Sequence, residues 1–281
     1  MPKERKARVT KVPIEMIVSD LDGTLLHHDG TVSKRTEAAI RAAVAAGFKV
    51  VLASGRPPRT VQPIADQCGL KGLAVCSNGA ILYDLDRREA IGHEHVPQEA
   101  LKDIVTRLRE REPSVSFATE YGHRVGREAR FPHPETWVSG LDPVIDDIHA
   151  LTADAIIKLA IHHPDQAVET LAKLVRSIVG NELSVTFSGM HFVEVAAAGV
   201  SKALGLARVC ERLGVDAKRV VAFGDMPNDL AMLAFVGRGV AVGNAHPDVM
   251  AEGYETTGTN DEDGVAQVIE TLVATRVRAA Q

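Results

Sequence analysis

The sequence is poor in cysteine, in aromatic residues and in long apolar runs. Only three cysteines occur in 281 residues, at Cys68, Cys76 and Cys210. An odd, widely spaced set with no CxxC pair excludes a disulfide scaffold and fits free thiols in a reducing compartment. Aromatic residues make up 4%, so any core must be built mainly from Ala, Val, Leu and Ile. No stretch approaches the roughly 18 apolar residues of a membrane span. A basic start (Lys3, Arg5, Lys6, Arg8, Lys11) is followed only by Ile14 to Val18. That stretch falls short of the about 7–15 apolar residues of a secretory signal, and the expected location is cytoplasmic. Positive charge is not in surplus either: 37 acidic against 32 basic residues give a net charge of −5. The chain therefore has no global attraction for nucleic acid or an anionic membrane, and an anionic substrate would need a metal ion or a few placed cations.

What is present is an ordinary globular balance, 45% apolar and 25% charged, at a length where one core begins to split into two. Ile14 to Val18 reads as a strand ending at Ser19-Asp20. Ser33 then caps a helix with apolar positions at Ala39, Ile40, Ala43 and Val44, stopped by Gly47. Val50 to Ala53 is a continuous apolar run, as expected of a strand buried on both faces of a parallel sheet. Pro57 and Pro58 open a second helix, and Leu73 to Cys76 forms a third strand before Ser77-Asn78-Gly79. This β-α-β-α-β start predicts a doubly wound, Rossmann-like α/β core. The texture then changes. A hairpin (80–83 and 89–92), a helix (99–112), strands at 115–119 and 156–161, an amphipathic helix (166–179) and a second hairpin (183–187 and 191–195) precede a return to β/α alternation. Residues 120–150, rich in Pro, Gly, His and Arg, carry no clear period. The expected division is a core of 1–85 and 196–281 with an inserted α/β unit at 86–195.

The chemistry gathers at the C-terminal ends of the core strands, where open α/β sheets bind ligands. Asp20-Leu21-Asp22-Gly23-Thr24 is either a solvated turn or a nucleophile and a general acid/base beside a divalent cation. Ser54-Gly55-Arg56 offers a hydroxyl and backbone N–H groups to a phosphate, with Arg56 pairing an anion or bracing the loop. Lys202, opening a helix after Ser201, is a surface lysine unless an acidic phosphate site lies near it. Gly224-Asp225-Met226-Pro227-Asn228-Asp229 supplies two carboxylates and an amide after a buried strand. Mg²⁺ prefers oxygen ligands and needs only one or two carboxylates plus substrate phosphate.

Taken in order, these stretches resemble the haloacid dehalogenase superfamily, and most closely its Cof-type sugar-phosphatase branch. Ser77-Asn78-Gly79-Ala80, Gly199-Val200-Ser201-Lys202, Gly243-Asn244-Ala245 and residues 260–266 fit the same branch. The resemblance implies that the insert is a substrate-specificity cap. It implies that Asp20 attacks phosphorus to form an aspartyl-phosphate, and that Asp22 protonates the leaving alcohol and later activates water. Ser54 would bond the phosphoryl oxygens and Lys202 would neutralise them. It places Mg²⁺ on Asp20, Asp225, Asp229 and the backbone carbonyl of Asp22. Gly55, Arg56, Asn78, Gly79, Asn228 and Asn244 are the implied substrate-side residues. Physical chemistry agrees with such a set, because a phosphate dianion repels an attacking carboxylate and positive charge must offset that repulsion. Neighbouring carboxylates would raise the pKa of Asp22 enough for it to carry a proton.

The expected activity is Mg²⁺-dependent hydrolysis of a small phosphorylated metabolite, with sugar phosphates first. Phosphorylated cofactors or vitamin precursors, such as pyridoxal phosphate or flavin mononucleotide, are the alternative substrates. A phosphomutase and a non-catalytic phosphometabolite-binding protein are the rival readings. Neither a nucleic acid nor a membrane is an expected partner. Arg124, Arg127, Arg130, His133 and Trp137 are cap residues that either read the leaving group or form a polar surface loop.

Overall fold

The structure, a computed structural model, describes residues 12–132, 144–189 and 191–279. The basic N-terminal run and the pair His133 and Trp137 lie outside the described residues. Three strands follow one another in the first part of the chain: β1 (Met16–Ser19), β2 (Lys49–Leu52) and β3 (Leu73–Cys76). An antiparallel hairpin, β4 (Ile81–Asp84) and β5 (Glu89–His93), extends from β3. Six further strands are β6 (Ser116–Glu120), β7 (Val125–Arg127), β8 (Val144–Ile145), β9 (Lys158–His162), β10 (Leu183–Thr186) and β11 (Val193–Ala197). The last three are β12 (Val220–Gly224), β13 (Arg238–Ala241) and β14 (Glu255–Thr256).

The central sheet is parallel, in the order β14-β13-β12-β1-β2, and a parallel bridge from Ala53 to Val75 ties β3 onto β2. Both faces are covered, and successive residues of one strand enter opposite cores. Ile17, Leu52, Val221 and Phe223 face one cluster; Met16, Val18, Val51 and Ala222 face the other. This is why the strands read as unbroken apolar runs. From β1 the chain winds first toward β2 and later, through β12, to the opposite side. The switch point therefore lies between β1 and β12, where ligands bind in such sheets. The first helix (Lys34–Ala45) is capped by the Ser33 side chain, which accepts from Thr36 N–H, and packs on the last helix (Gly264–Ala279).

The second large sheet, β10-β11-β9-β6-β7-β8, is antiparallel except for the β7–β8 pair. One face carries Phe117, Leu159, Ile161, Val193 and Val195 against the helices Gln98–Arg111 and Val168–Val179. The other face, by alternation, carries Ala118, Glu120, Lys158, Ala160 and Glu194. β7, β8 and the helical turn Ile148–Leu151 fall in the stretch that had no readable period. β7 and β8 are only three and two residues long, too short for alternation to register. Among the described residues no helix is long and apolar enough to cross a membrane.

Candidate active site

Four loops converge beyond the C-terminal ends of β1, β2, β3 and β12. Asp20 leaves β1 with its N–H bonded to Phe223 C=O, and its side chain is buried. The chain then turns sharply through Gly23, which has φ +73°. A Cβ there would stand 2.4 Å from Asp225 Oδ2, so only glycine lets the turn lie this close to the β12 loop. Thr24 closes the contact by donating its hydroxyl to Asp225 Oδ1 at 2.6 Å. Thr24, next to Gly23 in the same strand-end stretch, thus ties the β1 loop to the β12 loop.

Lys202 joins the two acidic loops. Its Nζ lies 2.7 Å from Asp20 Oδ1 and 2.7 Å from Asp229 Oδ1, and the residue is fully buried. It reaches this place because the helix Lys202–Leu213, capped by Ser201, packs directly on the loop after β3. A Cβ at Gly79 would stand 2.1 Å from Ser201 C=O, so Gly79, at φ +95°, sets the helix at backbone distance. The second oxygen of Asp229 accepts the N–H groups of Asp225 and Met226, each at 3.0 Å. Asp229 thus holds the β12 loop in shape as well as pairing with the lysine.

One carboxylate oxygen from each of Asp20, Asp225 and Asp229 lies within 4.8 Å of the others. Burial raises the pKa of Asp20 well above the carboxylate range; Lys202 pulls against this, and Asp229 and Asp225 reinforce it. Burial and then Asp229 lift Asp225 to about 7, opposed by the Thr24 hydroxyl and Lys202. Burial works against the charge on Lys202, yet Asp20 and Asp229 outweigh it and raise its pKa. Three buried carboxylates therefore face one buried ammonium, an imbalance that a divalent cation with oxygen ligands would offset. The residues fit such an ion.

Asp22 stands apart from that cluster. Arg56 grips its carboxylate with two bonds, Nε to Oδ2 at 2.8 Å and Nη2 to Oδ1 at 2.5 Å. The hydrogen-bonded partner of the Asp22 carboxylate is thus a guanidinium. Ser54 is buried, and its Oγ accepts Arg56 N–H at 3.1 Å, leaving its own proton to donate. Asn244 is committed within the protein. It donates to Gly23 C=O at 2.8 Å and accepts Asn260 N–H at 2.9 Å, bracing the turn after Asp20.

Asn78, in the left-handed region at φ +56°, accepts Asn228 Nδ2 on its Oδ1 at 3.0 Å and donates Nδ2 to Glu194 Oε2 at 2.9 Å. Asn228 Oδ1 is buried with no hydrogen-bond partner among the described residues. Gly55 offers its carbonyl to Lys158 Nζ at 3.0 Å. Lys158 and Glu194 carry a sequence signal of their own, since a single charge inside each apolar strand (Ile-Ile-Lys-Leu-Ala-Ile, Val-Glu-Val) is a readable sign of a buried partner. Of the arginines in the insert, Arg127 is spent on the carbonyls of Glu128, Ala129 and Phe131. Arg124 pairs with Asp154 and lies over the Tyr121 ring.

Residues 17–269 match the family model described as haloacid dehalogenase-like hydrolase. The chain is 32% identical to 5-amino-6-(5-phospho-D-ribitylamino)uracil phosphatase YcsE of Bacillus subtilis, across 92% of this chain and 95% of that protein. It is 30% identical to pyridoxal phosphate phosphatase YbhA of Escherichia coli, across 90% of this chain and 97% of that one. A solved haloacid dehalogenase-like hydrolase from Bacteroides thetaiotaomicron superposes with a TM-score of 0.76 at 28% identity, covering 92% of this chain and 99% of that one.

Proposed function

Because the chain belongs to the haloacid dehalogenase-like hydrolases, in their Cof-type branch, and is a phosphatase of small phosphorylated metabolites, we propose that it works through an aspartyl-phosphate on Asp20. The observation that carries this reading is Lys202, a fully buried ammonium held between Asp20 and Asp229 at the sheet's switch point. A surface lysine has no reason to be there. A carboxylate that must meet a phosphate dianion does need a fixed positive charge beside it.

Asp20 attacks phosphorus, and the bond from phosphorus to the leaving oxygen breaks as Asp22 delivers a proton to that oxygen. Asp22 then takes a proton from the water that attacks the acyl phosphate, which releases inorganic phosphate and restores Asp20. Arg56 grips the Asp22 side chain in the resting site; an entering phosphate competes for the guanidinium and frees Asp22 to face the leaving oxygen. Ser54 donates to a phosphoryl oxygen, and Gly79 fixes the approach of Lys202. Asn244 acts as a brace and Asn228 presents an acceptor to an O–H donor. Mg²⁺, held by Asp20, Asp225 and the Asp22 carbonyl with Asp229 in support, would neutralise phosphoryl charge. The insert 86–195 serves as the cap over this site.

The substrate is a small phosphate monoester, of a sugar or of a cofactor or its precursor. The names of YcsE and YbhA favour the second class. Hydrolysis of p-nitrophenyl phosphate tests the reading: turnover should require Mg²⁺ and vanish with a chelator. Isomerised sugar phosphate without release of inorganic phosphate would instead indicate a phosphomutase.

A thermal prediction follows from Asp225. Its folded-state pKa, about 7, exceeds the ordinary 3.8. The stability it contributes is complete below the ordinary value and is lost as pH rises toward 7. A cation that binds the ionised cluster reverses that loss. Mg²⁺ should therefore raise the melting temperature more at pH 8 than at pH 5. Equal shifts at both pH values would contradict a carboxylate site for the ion.

A further inference from the structure

Two buried charges in the second sheet touch the catalytic loops. Lys158, on β9, is 1% exposed and Glu194, on β11, is 2% exposed. They sit on the same face of adjacent antiparallel strands and pair directly with each other. That face is turned toward the parallel-sheet loops, because Lys158 also donates to Gly55 C=O at 3.0 Å and Glu194 accepts from Asn78 at 2.9 Å. Ser188, at the β10–β11 turn, donates to the same Glu194 oxygen at 3.0 Å. A second bridge runs in parallel, with Arg59 of the helix Pro58–Cys68 making two 2.7 Å bonds to Glu120 on β6.

A buried ion pair is weak evidence for stability, since apolar residues of similar volume serve as well or better. The contacts beyond the pair are what distinguish this one. Asn78 has an amide that can point either way. Glu194, an acceptor with no proton to give when ionised, permits only the orientation with Nδ2 toward itself. That turns Oδ1 toward Asn228 and fixes the Asn228 amide in turn. Lys158 meanwhile fixes the Gly55 carbonyl, in the loop that carries Ser54 and Arg56. Each sheet contact thus settles one of the two loops beside Asp20.

We propose that Lys158 and Glu194 are positioning residues that make the catalytic loops adopt their working arrangement only when the β6–β11 sheet is seated on them. The inference rests on the phosphatase reading. Without the sheet in place, Asn78 loses its directing acceptor, the Asn78–Asn228 pair can flip, and the Gly55 carbonyl loses its donor. Hydrolysis is then slow in the open state, when bulk water has access to the site, and fast only when the sheet covers it.

The test uses the full chain with Mg²⁺ and p-nitrophenyl phosphate. Lys158→Met combined with Glu194→Leu replaces the ion pair with apolar side chains and should keep a cooperative melt. Its kcat should fall about 10- to 100-fold, the usual consequence of misplacing catalytic groups by about an ångström, with KM altered by less than about 3-fold. In a background already carrying Asn78→Ala and Lys158→Met, Glu194→Leu should cost almost nothing further in kcat, because what then remains of its effect passes through Asn78. Glu194→Gln is the second variant, should the double one fail to fold. It keeps the shape but turns one acceptor oxygen into a donor, and it should lose about 10-fold in kcat. Folded variants with wild-type kcat, or full additivity with Asn78→Ala in that background, would overturn the proposal while leaving the phosphatase reading intact. Absence of turnover in the wild-type protein would instead remove that reading.

Discussion

Asp20→Asn is expected to lower turnover by at least about 10⁴-fold, a loss of about 5 kcal/mol of transition-state stabilisation, in a protein that remains folded. The two halves of that expectation have different causes. Asparagine cannot form an acyl phosphate, so the covalent route disappears, and the remaining donors around the site can only bind. The fold survives because Asp20 is costly as it stands. Burial and three neighbouring carboxylates (Asp229, Asp225 and Asp22) disfavour its charge, and Lys202 offsets only part of this. Removing that charge leaves Lys202 still paired with Asp229 at 2.7 Å. A melting temperature at or slightly above that of the wild type is the expected companion result, in keeping with the stability that functional sites commonly give up. Substantial Mg²⁺-dependent turnover in a folded Asp20→Asn protein would remove Asp20 from the nucleophile's role.

Lys202→Met should be damaging in both respects. The side chain is buried between two carboxylates, and deleting one partner of a buried ion pair typically costs about 3–5 kcal/mol. For a chain of this size that corresponds to a fall in melting temperature of roughly 6–20 °C. Turnover should drop by about 10³-fold, since the lost cation is one of the few groups able to offset the approach of a carboxylate to phosphate. Mg²⁺ should restore part of the stability and little of the turnover, because it can counter the carboxylate charge but cannot occupy the lysine's place. Thermal melts with and without Mg²⁺, paired with steady-state rates, separate the two effects. A variant as stable and as active as the wild type would show that the lysine is incidental.

Much of the site was legible because its residues stand at strand ends. Asp20, Ser54, Asn78 and Asp225 each follow a run of buried apolar residues, and a parallel sheet carries such positions to one edge whatever their separation in sequence. Lys202 was legible through Ser201, whose cap bond to Leu204 N–H marks the start of the helix. The partnership of Asp22 with Arg56 was not, because spacing places two loops side by side without stating which side chains clasp. The directing role of Glu194 was hidden for a related reason. Its partner Asn78 lies 116 positions away in sequence, and only the assembled sheets reveal the contact. The irregular stretch 120–150 resisted reading because its strands are too short to show a period. Among its described residues, Arg127 is spent on nearby carbonyls and the Asp147 side chain caps the helical turn at 148–151.

The most direct test of the account is to look for the covalent intermediate itself. Wild-type enzyme turning over a phosphate monoester with Mg²⁺ is quenched in acid, treated with borohydride to reduce any acyl phosphate, digested and analysed by mass spectrometry. The account predicts reduction of the Asp20 side chain to an alcohol in the peptide carrying Met16–Leu26, dependent on substrate and absent in Asp20→Asn. Active enzyme that yields no reduced Asp20, or yields the reduced side chain at Asp22 or Asp225 instead, would contradict it.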